Sequence, residues 1–394
     1  MKELINLDIV STGNINNKNG VNTFMINIFK NQKLFKCHQI NLNRLIVGGK
    51  VIKTNDSSNN EIVKNHNDNK LIKYLKYIKS TTIIGNIASF IINGPLQGIK
   101  NIRIVNKFKD DKTIFVQDIF SCLFYKKGNN KIIMTIHSSD NPLIQTYYNY
   151  PKFKGTFMEN IMEYLLDKAI LKCDATIVLG DVFKNQLINK GYENIYTVYN
   201  GIPKSKFIKK EKINQNSKVK IITVASINYR KGIDILIEAF LKLEIKYRNK
   251  ISITIVGTGV DIKKFKALVS DNKLENHIKF LGLRNNIIEL LVQNDIFLLP
   301  SRDEGLPIAM LEAMSVGLPL ALTNVGSIPE VMEKDTYYPL EPTINSLVIF
   351  YQKLINNTID LNKLSDKSVI NFDNKFSINT MINKYCEIIK KVNY

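Results

Sequence analysis

Short runs of β-branched residues recur along nearly the whole chain, and between them the apolar positions switch to helical spacing. Alternation of this kind folds as parallel strands joined by crossover helices, so an α/β architecture follows. In the first half, Leu4–Val10, Thr113–Val116, Lys131–Ile136, Ala175–Leu179 and Ile195–Tyr199 read as strands, with helices over Phe157–Lys172 and Val182–Lys190. In the second half, Val219–Ala225, Ser252–Val256, Ile278–Leu281, Ile296–Leu299 and Leu320–Leu322 read as strands buried on both faces. Between these lie helices expected over Ile233–Lys246, Ile262–Asn272, Asn286–Gln293 and Ile308–Val316.

At 394 residues the chain exceeds one ordinary core, which implies two domains of roughly 200 residues each. The basic, polar stretch Lys204–Lys220, after the turn Asn200-Gly201-Ile202-Pro203, places the linker. The domains are then residues 1–203, 204–376 and a C-terminal helix over 377–394. That helix presents Ile378, Met381, Ile382, Tyr385 and Ile389 on one face, with Ser377 as its N-cap, and must dock on something. The polar insertion Lys53–Lys70 reads as a loop, and the apolar stretch Thr81–Ile92 as buried strand or helix, too short to span a bilayer.

The net charge of +20 attracts anions, but no nucleic-acid signature accompanies it, which argues against nucleic acid as a partner. Lys100–Lys112 mixes basic with apolar residues and reads either as a surface strand with solvated lysines or as a face resting on anionic lipid. Four cysteines, far apart and without a CxxC pair, point away from a disulfide framework or zinc site and suit a reducing cytoplasm. The start MKELINLDIV lacks the pattern of a secretory signal.

The chemistry concentrates in Pro300–Glu330. A strand ends at Pro300, a loop carries Glu304 and Gly305, and a helix follows with Pro307 suited to its first position and Gly317 to its C-terminal cap. Open α/β sheets bind ligands at the carboxyl ends of their strands, and free N–H groups at a helix start attract phosphate or polyhydroxyl groups. Glu304 is expected to face that site from the loop. Glu312 interrupts the apolar run IAMLEAM and, if buried, needs a partner. Taken singly, each glutamate also fits a solvated acid at a helix flank.

The string EGLPIAMLEAMSVGLPLALTNVGSIPEV resembles the glutamate–seven–glutamate motif of glycosyltransferase family 4. Further segments in order resemble the same family: Ser226 to Gly232 its diphosphate-binding turn, Val256-Gly257-Thr258-Gly259 its next glycine turn, Phe280 to Leu283 the loop beside the base. Thr135-Ile136-His137 resembles its strand-end histidine, and Val198 to Ile202 its run into the linker. The resemblance implies a GT-B fold of two Rossmann-like parallel-sheet domains facing across a cleft, with the C-terminal helix crossing back to the first domain. It implies a retaining, metal-independent enzyme that moves a hexose or N-acetylhexosamine from a nucleotide-sugar, UDP being the commonest carrier, to a saccharide or lipid-linked acceptor. No further cofactor is implied.

Carried over by position, Glu312 would bind the ribose, Glu304 the donor sugar, and the amides of Gly305, Leu306 and Ile308, beside Pro307, the sugar or distal phosphate. Lys231 would neutralise the leaving diphosphate, Leu283 would line the donor site, and His137 would face the reacting centre. Two departures stand out. Ser226 replaces the family's usual arginine, leaving Arg230 as the substitute cation, and Asn19-Gly20-Val21 offers one glycine, Gly20, where the family pairs two. Asp110-Asp111 resembles no metal motif and reads as a solvated turn. The implied context is cell-surface polysaccharide synthesis in the cytoplasm, with peripheral attachment to an anionic membrane. A non-catalytic partner subunit of the same fold is the rival, favoured by Ser226 and opposed by the joint presence of Lys231, Glu304 and Glu312.

Overall fold

The computed structural model describes residues 4–12, 20–53, 83–137, 150–206 and 218–394. Two compact units emerge: Met1–Tyr199 with Met381–Tyr394, and Asn200–Thr380. The division falls at Tyr199/Asn200, a few residues before the expected position, because Ile202 bridges to Ser377 and exchanges backbone hydrogen bonds with Phe376 and Ile378. Of the expected linker, residues 207–217 lie outside the described residues, as does all of the polar insertion except Lys53.

The first unit is built on a seven-stranded sheet in the order β3-β2-β1-β4-β5-β6-β7. Its strands are β1 (Ile5–Ser11), β2 (Ile40–Val47), β3 (Lys50–Lys53), β4 (Thr113–Val116), β5 (Ile132–Ile136), β6 (Ala175–Val178) and β7 (Ile195–Thr197). All neighbours pair in parallel except the hairpin β2–β3. The second unit holds β8 (Val219–Val224), β9 (Ile251–Val256), β10 (Ile278–Gly282), β11 (Ile296–Leu299), β12 (Leu320–Thr323) and β13 (Tyr338–Leu340). These form a parallel sheet in the order β10-β9-β8-β11-β12-β13. In each sheet the strand order reverses once, between β1 and β4 and between β8 and β11, and such switch points are where open α/β sheets bind ligands.

The C-terminal helix Ile378–Asn393 belongs to the first unit from Met381 onward. Ser377 Oγ accepts the Thr380 N–H at 3.1 Å, and all five residues of the apolar face are buried. Tyr385 packs against Phe24 and Phe115, and Asn393 Oδ1 accepts the Thr113 hydroxyl at 3.0 Å.

Two local readings are corrected. Lys100–Lys112 is no strand: Pro95–Val105 is a helix with Pro95 in its first turn, and the chain then turns into β4. Lys112 is buried rather than solvated, pairing with Asp8 at 3.7 Å, while Asp110, exposed at the bend before it, pairs with Lys112 at 3.4 Å and with Arg44. Asp8, on β1, is fully buried, and Arg44 holds it at 2.8 Å although burial raises its pKa. The helix expected over Ile233–Lys246 ends at Leu241 and restarts as Ile245–Arg248; the Arg248 side chain donates to the carbonyls of Leu241 and Leu243, which otherwise lack partners at that helix end. Cys122 and Cys173, 51 residues apart, bring their thiols within 3.3 Å, both free.

Candidate functional site

The carboxyl ends of β8 and β11 flank the switch point of the second sheet, and each delivers a loop. After β8 the chain makes a short 3-10 turn, Tyr229–Lys231, and enters the helix Ile233–Leu241 through Gly232. Gly232 sits at φ +64°, and a Cβ there would lie 1.9 Å from the Pro300 carbonyl oxygen. Only glycine permits this approach, so the loops after β8 and β11 touch backbone to backbone. The glycine turn after β9 serves the same packing. A Cβ on Gly257 would meet the Ala225 carbonyl oxygen at 1.9 Å, and one on Gly259 the Ile227 oxygen at 2.1 Å.

That contact brings Lys231 and Glu304 together. Lys231 Nζ donates to Glu304 Oε1 at 2.5 Å, and the Ser301 hydroxyl donates to the same oxygen at 2.6 Å. Glu304, on the expected loop, is only 3% exposed and Lys231 9%. Burial pulls the Lys231 pKa down, and the Glu304 carboxylate opposes that shift without cancelling it. A second anion would therefore be attracted to this ammonium.

Arg230, the candidate substitute for the missing arginine, is committed elsewhere. Its guanidinium donates to the Asp303 carbonyl at 3.3 Å and carboxylate at 3.4 Å. Ser226 is exposed just beyond β8, and Leu283, after β10, is 59% exposed.

The loop after β11 continues through Gly305 and the buried Leu306. The Ser327 hydroxyl donates to the Gly305 carbonyl at 2.8 Å, and the Asn200 side-chain amide approaches that of Leu306 at 3.5 Å. Pro307 is the N-cap in extended conformation, one residue earlier than expected, so Ile308 opens the helix Ile308–Ser315. Gly317 follows its C-terminus at φ +73°. Glu312 lies on this helix, half-buried, and its carboxylate has no partner among the described residues. Burial alone pushes its pKa up to about 7. A desolvated carboxylate without a donor is costly to the folded chain, and ligand hydroxyl groups would relieve that cost.

The first unit holds the other two candidates. His137 follows β5; its Nε2 donates to Gln117 Oε1 at 2.8 Å, and its ring packs edge-on against Phe24 with centroids 4.9 Å apart. Burial lowers its pKa to about 4, so the ring is neutral at pH 7. Asp118, beside Gln117, accepts the Thr12 N–H at 2.9 Å and caps the helix Ile119–Phe124, which orders the switch point between β1 and β4. Gly20 opens the helix Gly20–Lys30, while Asn19 lies outside the described residues.

Sequence reasoning missed Ser301, Asp303, Arg302 and Asp234, which surround the Lys231–Glu304 pair, and Gln117 beside His137. Ser301, Arg302 and Asp303 stand in the string PSRDEG itself, where the polar run between strand and helix was the available signal.

Comparison with known proteins agrees with this geometry. The family profile described as glycosyl transferases group 1 matches residues 204–366. N-acetyl-alpha-D-glucosaminyl L-malate synthase of Bacillus anthracis is 31% identical over 226 residues, which is 54% of either chain. The O-antigen biosynthesis glycosyltransferase WclY of Escherichia coli is 27% identical over 274 residues, 65% of this chain and 70% of that one. Thus the match to the first relative spans only about half its length. Among solved structures, Anabaena Alr3699/HepE in complex with UDP superposes with a TM-score of 0.67 at 15% identity, covering 98% of this chain and 100% of that one. Residues 204–366 thus match the glycosyl transferases group 1 family, and the chain that carries them has the GT-B fold.

Proposed function

We propose that this protein is a retaining, metal-independent glycosyltransferase that transfers a hexose or N-acetylhexosamine from a UDP-sugar to a saccharide or lipid-linked oligosaccharide in cell-surface polysaccharide synthesis. The observation carrying this reading is the buried Lys231–Glu304 pair at the switch point, with the unpartnered Glu312 on the adjoining helix. The reported relatives give it context, since one is named for O-antigen biosynthesis and one neighbour was solved with UDP.

In this reading the donor diphosphate lies against Lys231 and the amides of Gly305, Leu306 and Ile308. Charge builds on that diphosphate as the glycosidic bond breaks, and a preoriented cation in a poorly solvated site stabilises it most at that moment. The Glu304 carboxylate, fixed by Lys231 and Ser301, accepts hydrogen bonds from donor-sugar hydroxyls. Glu312 accepts from the ribose hydroxyls. The acceptor hydroxyl attacks from the side the diphosphate leaves, passing its proton to the departing phosphate oxygen. His137, kept neutral by burial, acts as a hydrogen-bonding group rather than a charge. Because Lys231 and backbone amides neutralise the diphosphate, a divalent cation has no assigned role.

The basic composition fits attachment to anionic membrane, and no helix among the described residues is long and apolar enough to cross one. The test is turnover: the purified chain is incubated with UDP-, GDP- and ADP-sugars, with and without oligosaccharide acceptors and chelator. Release of UDP only with acceptor, unchanged by chelator, is expected. Nucleotide binding without turnover under any condition would favour the partner-subunit reading instead.

A further inference from the structure

Outside the residues already assigned, one side-chain assembly joins the two loops that carry Lys231 and Glu304. Arg302 donates from Nη1 and Nη2 to the two carboxylate oxygens of Asp234, at 2.8 and 2.6 Å. The same Nη1 donates to the Tyr229 carbonyl at 2.7 Å, and the Arg302 backbone N–H donates to the Arg230 carbonyl at 2.8 Å. The guanidinium lies 3.8 Å from the centroid of the Tyr229 ring, which covers one of its faces. Asp234 sits in the first turn of the helix Ile233–Leu241, three residues after Lys231. Arg302 sits two residues before Glu304. One arginine thus ties the β11 loop to the turn and helix start after β8, on both sides of Lys231.

From this geometry we infer that Arg302 and Asp234, shielded by Tyr229, are positioning residues that hold the Lys231–Glu304 pair in its reactive arrangement. A bidentate guanidinium–carboxylate pair has two parallel hydrogen bonds and so fixes angle as well as distance. It is well suited to a site whose rate depends on placement of charge to within a fraction of an ångström. The pair is half-buried, with side-chain exposures of 20% and 18%, so solvent does not erase it. The Lys231–Glu304 ion pair alone would not suffice. A nucleotide diphosphate competes for Lys231, and once that cation is shared the two loops need another tie to stay in register. Neither Arg302 nor Asp234 needs to touch substrate. The inference rests on the proposed reading of the donor site for its effect on rate, but not for its effect on the loops.

Arg302→Ala and Asp234→Ala, singly and combined, are measured for turnover, UDP affinity and amide hydrogen exchange, with Arg302→Lys as the conservative variant. The expected result is a fall in kcat of tenfold or more with UDP affinity within about twofold of the native chain, no further loss in the double variant, and partial recovery with lysine. Exchange should rise together across residues 226–231 and 301–306, because the tie constrains both loops. Unchanged kcat in an active chain, or additive losses in the double variant, would overturn the inference. So would faster exchange confined to the loop bearing the substitution, a readout that holds even if the native chain proves to turn over no donor.

Discussion

Glu312 links nucleotide binding to pH in a way that can be calculated. Its carboxyl, raised to about 7 by burial and unpartnered among the described residues, is half protonated at neutral pH. The form that accepts hydrogen bonds from both ribose hydroxyls is the carboxylate, so binding must displace the proton. The apparent dissociation constant then carries the factor 1 + 10^(7 − pH), about 11 at pH 6 and about 1.1 at pH 8. Affinity for UDP should therefore weaken about tenfold between pH 8 and pH 6, roughly 1.4 kcal/mol. The terminal phosphate of the nucleotide also titrates near pH ~6, which acts in the same direction. Calorimetry with the native chain and Glu312→Gln separates the two, since the variant keeps only the phosphate contribution. Buffers of different ionisation enthalpy should show additional proton release on binding to the native chain at pH 7. Parallel pH profiles for the two proteins would refute the argument and make Glu312 a structural residue. The same shift has a stability consequence of opposite sign. A folded-state pKa above the ordinary 4.5 means stability is lost as pH rises from about 4.5 through about 7. Without nucleotide, Glu312→Gln should thus be more stable than the native chain at pH 8, by about 3 kcal/mol in urea unfolding, and equal to it below pH 4.

Glu304→Ala should abolish turnover and also destabilise the chain by about 3–5 kcal/mol, because it strands the buried Lys231 ammonium; urea unfolding midpoints check this, and a variant as stable as the native chain would show the ion pair to be solvated. Glu304→Gln keeps an acceptor for Ser301 and should unfold closer to the native chain. Gly232→Ala should cost several kcal/mol or prevent folding, since its Cβ would need space held by the Pro300 carbonyl at a backbone angle strained for alanine; a melting temperature near that of the native chain would contradict the close approach. Ser226→Arg should tighten UDP binding by about 1–2 kcal/mol, read by calorimetry, because Arg230 is held by Asp303 and leaves the diphosphate with one free cation fewer than the family arrangement provides.

What the sequence determined by itself was everything written in local periodicity and in contiguous motif. A core strand such as Ile296–Leu299 is a continuous apolar run because both faces are buried, and such runs announce themselves. The C-terminal helix was legible from five apolar residues on one face and a serine cap, since side-chain spacing and capping are properties of a few neighbouring residues. The brief, partly exposed strands β3 and β13 carried no such signal, and neither they nor the longer, mostly buried β2 were foreseen. The stretch Lys100–Lys112 misled because charge was read without partners: whether a lysine is solvated or buried against Asp8 depends on a strand more than a hundred residues away. Likewise the motif located Glu304 and Lys231, but only the approach of two loops at Gly232 decided that they form a buried ion pair, and only Arg302 reaching Asp234 decided what holds those loops together. Periodicity records which face of an element is apolar. Pairing between distant residues depends on strand order and backbone clearance, and those are set by the packing of the whole sheet.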